Sequence, residues 1–600
     1  LLTQTRSQEF DALSRLWKSI GAQNQLTELA YDANGNLKQT TDPLLHTATH
    51  QFDALDRLIQ ANDAAGGQAL QQHDALDQVT QVTDPKGIAT SYTTNALGDV
   101  LQEVSADRGT TIYTYDAAGN QLTRTDARGV VQTTAYDALD RPVSQSYITI
   151  TGVPPTAPTT WTYDTGGNGI GRLTGMIDDS GNTTYSYDLH GRLLNKVQST
   201  KYGARNFIQT LSYQYDSSGR LSQTIYPSGT QINTTYGADG RPTEIRVNGD
   251  VLIQNITYHP FGAAKGWTWG NGQSHTRSFD LDGRLAHHTI GSDTRSLTYD
   301  AASQIIQTSD TNPIYNRGYS YDELGRLIGL SDNISTRLWT YDVNSNRTSV
   351  QPGGTIYPYT IDTNSNRLMS IAVPVAKTYT YDATGNVLSD GIINFNWNAA
   401  GRLKKIVKGD KIRRYKHNGL GERTIRRGWG KRRFSFIYDG AGQLISQSMT
   451  ENIKQENWVL EQETIWLDNI PIAVLKKPVV TEPVLVYLIH ADHLNTPRLI
   501  VDQSNTPVWR WDNKQAFGDN LADKDPDGDG TLFQYNRRFA GQYFDSETRL
   551  HYNLFRDYDP ETGRYISSDP IGLAGGLNTY GYALQNPLLY IDPDGKHPLA

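Results

Sequence analysis

One interval dominates this sequence. Phe10-Asp11, Tyr31-Asp32, Phe52-Asp53, His73-Asp74, Thr94-Asn95, Tyr115-Asp116 and Tyr136-Asp137 each stand 21 residues after the last. Most continue toward Gly or Asp, then Arg or Asn, then Leu, as in Tyr31-Asp32-Ala33-Asn34-Gly35-Asn36-Leu37. A fixed period of this length means one supersecondary unit stacked many times, each packed only on its neighbours. The unit reads as β. Thr110-Thr111-Ile112-Tyr113-Thr114-Tyr115 is β-branched and aromatic, and Asp116-Ala117-Ala118-Gly119-Asn120 is a turn. Its Asp bonds its own backbone, and its Gly accepts positive φ. One repeat is about one hairpin.

A Pro/Thr-rich loop, Val153 to Pro158, stretches the next interval. The pattern resumes at Tyr163, Tyr187, Tyr215, Tyr236, Tyr258, Phe279, Tyr299, Tyr321, Tyr341, Ile361, Tyr381, Trp397, His417 and Tyr438. Tyr321-Asp322-Glu323-Leu324-Gly325-Arg326-Leu327 is among its clearest members. Apolar residues make up only 37% even with tyrosine included, as a thin wall wet on both faces requires and a thick core does not. The expected fold is therefore all-β.

These units resemble the YD repeats of the Rhs family, which includes bacterial polymorphic toxins, the C subunits of insecticidal toxin complexes, and the teneurins. The resemblance covers roughly Phe10 to Leu444. It implies hairpins joined edge to edge into a spiralling sheet that closes a hollow cocoon, hiding strand edges that would otherwise aggregate. The repeated aromatic is expected to stack on its counterparts.

No cysteine is present, which excludes disulfides and thiolate metal sites. No apolar run reaches the ~20 residues of a membrane helix. No signal peptide opens the chain; it begins mid-pattern and is expected to be a segment of a longer protein. The net charge of −8 argues against general nucleic-acid binding. From Arg402 to Arg433, however, 14 Lys or Arg meet only Asp410 and Glu422. This run is either a surface for nucleic acid or an acidic cargo, or a charged stretch of wall. The wall is the expectation, because no recognition motif accompanies it.

Beyond Leu444 the repeats fade. Residues 445–483 read as connecting strands, with 476–483 a link, and 484–600 as a separate closing domain. His490, Asp492 and His493 sit close enough in sequence to suggest metal ligands, but no further partner or oriented second shell is evident, so a turn is expected. Asp523, Asp525, Asp527 and Asp529 resemble the start of a calcium loop whose twelfth position lacks the required Glu. An acidic loop with at most weak calcium binding is expected, and no other cofactor.

The densest stretch is Arg556-Asp557-Tyr558-Asp559-Pro560 with Gly563-Arg564-Tyr565-Ile566-Ser567-Ser568-Asp569-Pro570-Ile571-Gly572-Leu573, followed eighteen residues later by Asp592-Pro593-Asp594-Gly595. It resembles the Rhs repeat-associated core domain. In toxin members that domain is an aspartic autoprotease that cuts just beyond the second Asp-Pro-x-Gly and frees a C-terminal toxin inside the shell. The resemblance implies a catalytic set of Arg556, Asp557 and Asp569. Asp592, Pro593, Gly595, Lys596 and His597 would position the Lys596–His597 bond. The chemistry requires one carboxylate to activate water and a second, protonated, to polarise the carbonyl. Tethering raises the effective concentration of the substrate. Adjacent strand residues face opposite sides, so Arg556 and Asp557 share a pocket only at a bend. The resemblance also implies an apolar residue before the cut. Lys596 departs from it and is expected to fit such a subsite poorly.

The expected function is thus a secreted or cell-surface bacterial effector shell that encloses its own C-terminal toxin and cleaves itself. Its partners would be that cargo and immunity or delivery proteins. The alternative is a non-enzymatic adhesion protein that binds carbohydrate through exposed aromatics.

Overall fold

The computed structural model describes residues 5–599 except 261, 373, 452–456, 480 and 513. The expected link at 476–483 contains Val480, which lies outside the described residues. Strand follows strand from Ser7–Phe10 to Pro507–Arg510, and no α-helix occurs among the described residues. The strands form sheets of 35 and 13, divided at Tyr379, with a sheet of four in the closing domain. Within each, a strand pairs antiparallel with its sequence neighbours, as in Leu26–Tyr31 with Leu37–Thr41.

The repeat motif explains the unit. In the turn after Tyr31, Asp32 Oδ1 accepts the amides of Asn34 and Asn36 at 3.0 and 2.8 Å, and Gly35 takes φ +97°. The register slips by one residue at the tyrosine, where Tyr31 pairs with Leu37, a bulge that tightens the local twist.

Among the described residues the repeat tyrosines do not stack on one another, contrary to expectation. Each instead reads the preceding unit. The Tyr31 hydroxyl donates to the Leu16 carbonyl at 2.7 Å, and Arg15 lies 4.6 Å from the centre of the Tyr31 ring. Arg15 is itself held by Asp11. The same trio recurs at Asp188–Arg192–Tyr215 and Asp280–Arg284–Tyr299, with hydroxyls on Leu193 and Leu285. A guanidinium polarised by a carboxylate and stacked on an aromatic face couples unit to unit.

The wall returns on itself after one revolution. Ala22 bonds Asp282, Lys86 bonds Asp362 and Ser365, Arg128 bonds Asn398 and Ala399, Ser228 bonds Glu463, and Asn271 bonds Gln503. These pairings climb in order, so the first revolution seats on the second along its length. The Pro-rich loop spans the same seam, where Pro154 and Pro155 carbonyls accept from Ala399 and Lys404.

A compact protein of this mass exposes about 21,000 Å²; this one exposes 26363 Å². The excess is the second wet face of a hollow shell. No side chain is buried in any strand from Ser7 to Thr83. Burial grows where the revolutions meet, with Trp267, Trp269 and Leu252 against Ile465, Ile472 and Leu499. It is densest in the closing domain, around Trp509, Trp511, Tyr535, Tyr558, Tyr565 and Tyr582.

Candidate functional site

The closing domain is built on strands His551–Asn553, Arg556–Asp559 and Arg564–Tyr565. Arg556 is its hub. Its Nη2 lies 2.8 Å from Asp569 Oδ2 and 3.2 Å from Asp592 Oδ2. Its Nε donates to the Gly595 carbonyl and its Nη1 to the Thr579 carbonyl. The guanidinium rests 3.6 Å from the centre of the Tyr565 ring, whose hydroxyl donates to Asp592 Oδ2 at 2.7 Å. All are buried, so the charges are stabilised by one another rather than by water. Burial pushes the Asp569 carboxyl up to about 6 against the pull of Arg556, and Asp592 adds to the rise.

The segment carrying the expected cut is held residue by residue. Asp592 Oδ1 accepts the amides of Gly595 and Lys596 at 2.8 and 3.0 Å, and the Asp592 carbonyl accepts from Asn553. Gly541 leaves room for the Pro593 carbonyl. Gly595 takes φ +80° with its α-carbon against the Asn553 carbonyl and the Arg556 amide. His597 is exposed, and Leu599 pairs back on Ile591.

Sequence reasoning overlooked Gly575. A Cβ there would lie 2.4 Å from Asp569 Oδ2 and 2.8 Å from the Lys596 carbonyl oxygen. The missing side chain leaves the Asp569 carboxyl and the carbonyl of the expected cleaved bond facing one small space. The Ala574-Gly575-Gly576 run was the signal available.

Asp557 stands apart. Strand alternation turns it to the face opposite Arg556, as expected of a regular strand. No hydrogen bond or ion pair joins it to Asp569 among the described residues; its charged neighbours are Arg423, Asp545 and Arg402. Burial pushes it up to about 7 despite the two arginines. The structure therefore joins Arg556, Asp569 and Asp592, and places Asp557 behind the same strand.

Lys596 does not enter a purely apolar subsite. Its ammonium lies 3.3 Å from the centre of the Phe555 ring and 3.9 Å from Asp594 Oδ2.

The basic run 402–433 is wall, as expected, and three of its arginines dock the closing domain. Arg423 and Arg426 meet Asp545 at 2.6 and 2.8 Å, and Arg413 meets Glu547. Asp492 and His493 lie in a turn, and His490 precedes it, buried in the strand Leu485–Ala491. Asp492 accepts the Leu494 and Thr496 amides and pairs with Arg498 at 2.7 Å, while His493 Nε2 bonds the Leu588 carbonyl. Of the four acidic-loop residues, Asp525, Asp527 and Asp529 bring carboxylate oxygens within 4.8 Å of one another, close enough to share one cation. Asp523 instead pairs its backbone with Arg510.

Comparison with known proteins gives a consistent picture. A family model described as the teneurin YD-shell matches residues 2–150 and 294–587. Double-stranded DNA deaminase toxin A of Burkholderia cenocepacia is 26% identical over 467 residues, 72% of this chain and 30% of that protein. Toxin protein Tse5 of Pseudomonas aeruginosa is 25% identical over 361 residues, 47% of this chain and 27% of its own length. The Tc holotoxin pore structure of Photorhabdus luminescens overlays 99% of this chain and 34% of that one, with TM-score 0.84 and 19% identity. The TcdB2-TccC3 structure overlays 98% and 34%, with TM-score 0.83 and 19% identity. The chain spans less than a third of these two toxins and about a third of these structures.

Proposed function

Because the chain belongs to the teneurin YD-shell family, we propose that it is the shell of a polymorphic toxin. It encloses a C-terminal toxin segment and releases it inside by cutting the Lys596–His597 bond. The observation that carries this reading is the convergence of Asp569 and the Lys596 carbonyl at Gly575, beside the Arg556–Asp592 pair.

Water adds to the Lys596 carbonyl, giving a proton to a carboxylate, while an acid protonates the departing His597 nitrogen. The Asp569 carboxyl faces that carbonyl across the gap at Gly575. With its carboxyl near 6, both protonation states are populated at cellular pH. Arg556 fixes Asp569 and Asp592 and grips the Gly595 carbonyl one residue before the bond. Asp557, raised to about 7 by burial, stands behind the same strand. The cut happens once per chain, so tethering offsets modest catalytic power. Likeness to toxins supports a protein that acts outside its producing cell, on a competitor. No helix among the described residues is long and apolar enough to cross a membrane.

The test is electrophoresis of the chain extended by its native downstream sequence. Two bands are expected, with the cut after Lys596. Gly575→Ala fills the gap without demanding positive φ and is expected to slow the cut at least about tenfold. A parent chain that stays intact, or a Gly575→Ala chain that cuts at the parent rate, ends this reading.

A further inference from the structure

The segment before the expected cut is gripped by a residue that no part of the catalytic argument uses. We propose that Phe555 is the specificity-determining residue of the cleavage site, its ring forming a subsite for a basic side chain at position 596. This rests on the cleavage reading above.

Phe555 holds the segment twice. Its amide donates to the Asp594 carbonyl at 2.9 Å, which fixes the register. Its ring then receives the Lys596 ammonium 3.3 Å from the centroid. The Lys596 amide meets Asp592 Oδ1 and Asp594 Oδ1, both at 3.0 Å, and its carbonyl faces Asp569 across Gly575. Each polar group of Lys596 is thereby placed, and the side-chain contact is the one that depends on residue type.

The wall supplies the other half of the subsite. Arg402 lies 4.2 Å from the centre of the same ring and donates to the Leu554 carbonyl at 2.9 Å. Gly421 lets the wall close on the ring: a Cβ there would lie 3.1 Å from Phe555 Cε1 and collide with the Arg402 guanidinium. Phe555 is thus pinned between wall and tail. A ring face attracts a cation through its quadrupole, and the attraction strengthens as water is removed. Two cations share this ring, and Asp594 Oδ2, 3.9 Å from the ammonium, offsets their repulsion. A neutral chain of the same length keeps the packing and loses that attraction.

The experiment uses the full-length protein with its native downstream sequence and reads the rate of self-cleavage. Lys596→Arg should cut at close to the parent rate, and Lys596→Met about tenfold more slowly. Phe555→Leu should slow the parent about tenfold, and the double variant Phe555→Leu/Lys596→Met should be no slower than either single one. Equal rates for Lys, Arg and Met at 596, or additive losses in the double variant, overturn the assignment while leaving the cleavage reading standing. An intact parent overturns both. The Arg-against-Met comparison leaves Phe555 untouched, so it decides the matter even if Phe555→Leu fails to fold.

Discussion

Asp53 in a repeat turn and Asp557 and Asp569 in the closing domain are the same residue type in opposite electrostatic states. In the wall, Asp53 accepts the Leu55 and Arg57 amides and pairs with the Arg57 guanidinium. Those bonds favour its charged form, and its carboxyl is lowered to about 2. In the closing domain, burial dominates. It pushes Asp557 to about 7 and Asp569 to about 6, although arginines stand beside both. Hydrogen bonds at a wet turn fix a charge, whereas removal from water keeps a proton within reach of chemistry. Exposure therefore holds a repeat carboxylate in its charged form, while burial raises Asp557 and Asp569 beside the tail as it raises Glu463 in the wall.

Several experiments would break or sharpen this contrast. The largest expected effect is on cleavage. Asp569→Asn should slow the appearance of the second band by about 10²–10⁴-fold, while Asp53→Asn leaves it unchanged. Asp557→Asn separates two roles: a loss of the same size makes Asp557 part of the reaction, and a small loss confines it to holding Arg402 and Arg423.

Arg556→Met strands two buried carboxylates. It should destabilise the closing domain by about 3–5 kcal/mol, read as denaturant sensitivity of proteolysis between residues 540 and 600, with the wall still resistant.

The pH response should run in opposite directions in the two regions. Raised carboxyls stabilise the folded closing domain most below 3.8, and that stability is lost as pH rises toward about 6 for Asp569 and 7 for Asp557. Lowered carboxyls such as Asp53 stabilise the wall above 3.8 and lose that contribution as pH falls toward 2. Hydrogen exchange in the closing domain should therefore quicken between pH 4 and 7 by a few kcal/mol of protection, and Asp557→Asn should flatten the slope.

The smallest effect belongs to a single repeat. Tyr341→Phe removes the hydroxyl that donates to the Leu327 carbonyl at 2.7 Å and should cost about 1 kcal/mol, seen in thermal unfolding. A loss several times larger would mean that the repeats unfold as one cooperative wall.

The hairpin unit was legible in the sequence because its determinants lie close together. Asp32, Gly35 and Asn36 make their turn within five residues, and Tyr31 reaches back only to Leu16. A spacing of 21 was enough to place them. The partner of each tyrosine was misread, because stacking and a cation-facing ring look alike in composition. Arg556 and Asp569, thirteen residues apart, could be singled out by motif. Their alliance with Asp592 could not be derived from strand periodicity, since it depends on where a later loop returns. The basic run was ambiguous for the same reason: Arg423 and Asp545 lie 122 positions apart.

The order of the chain by itself determined a repeating β wall, because each unit is held by hydrogen bonds and ring contacts among near neighbours. Only the tertiary structure decided which carboxyls are buried, that Asp557 and Arg556 part company across a strand, and that Asp569 faces the Lys596 carbonyl through the gap at Gly575. Burial and encounter are set by distant segments closing on one another, and no local spacing encodes that distance.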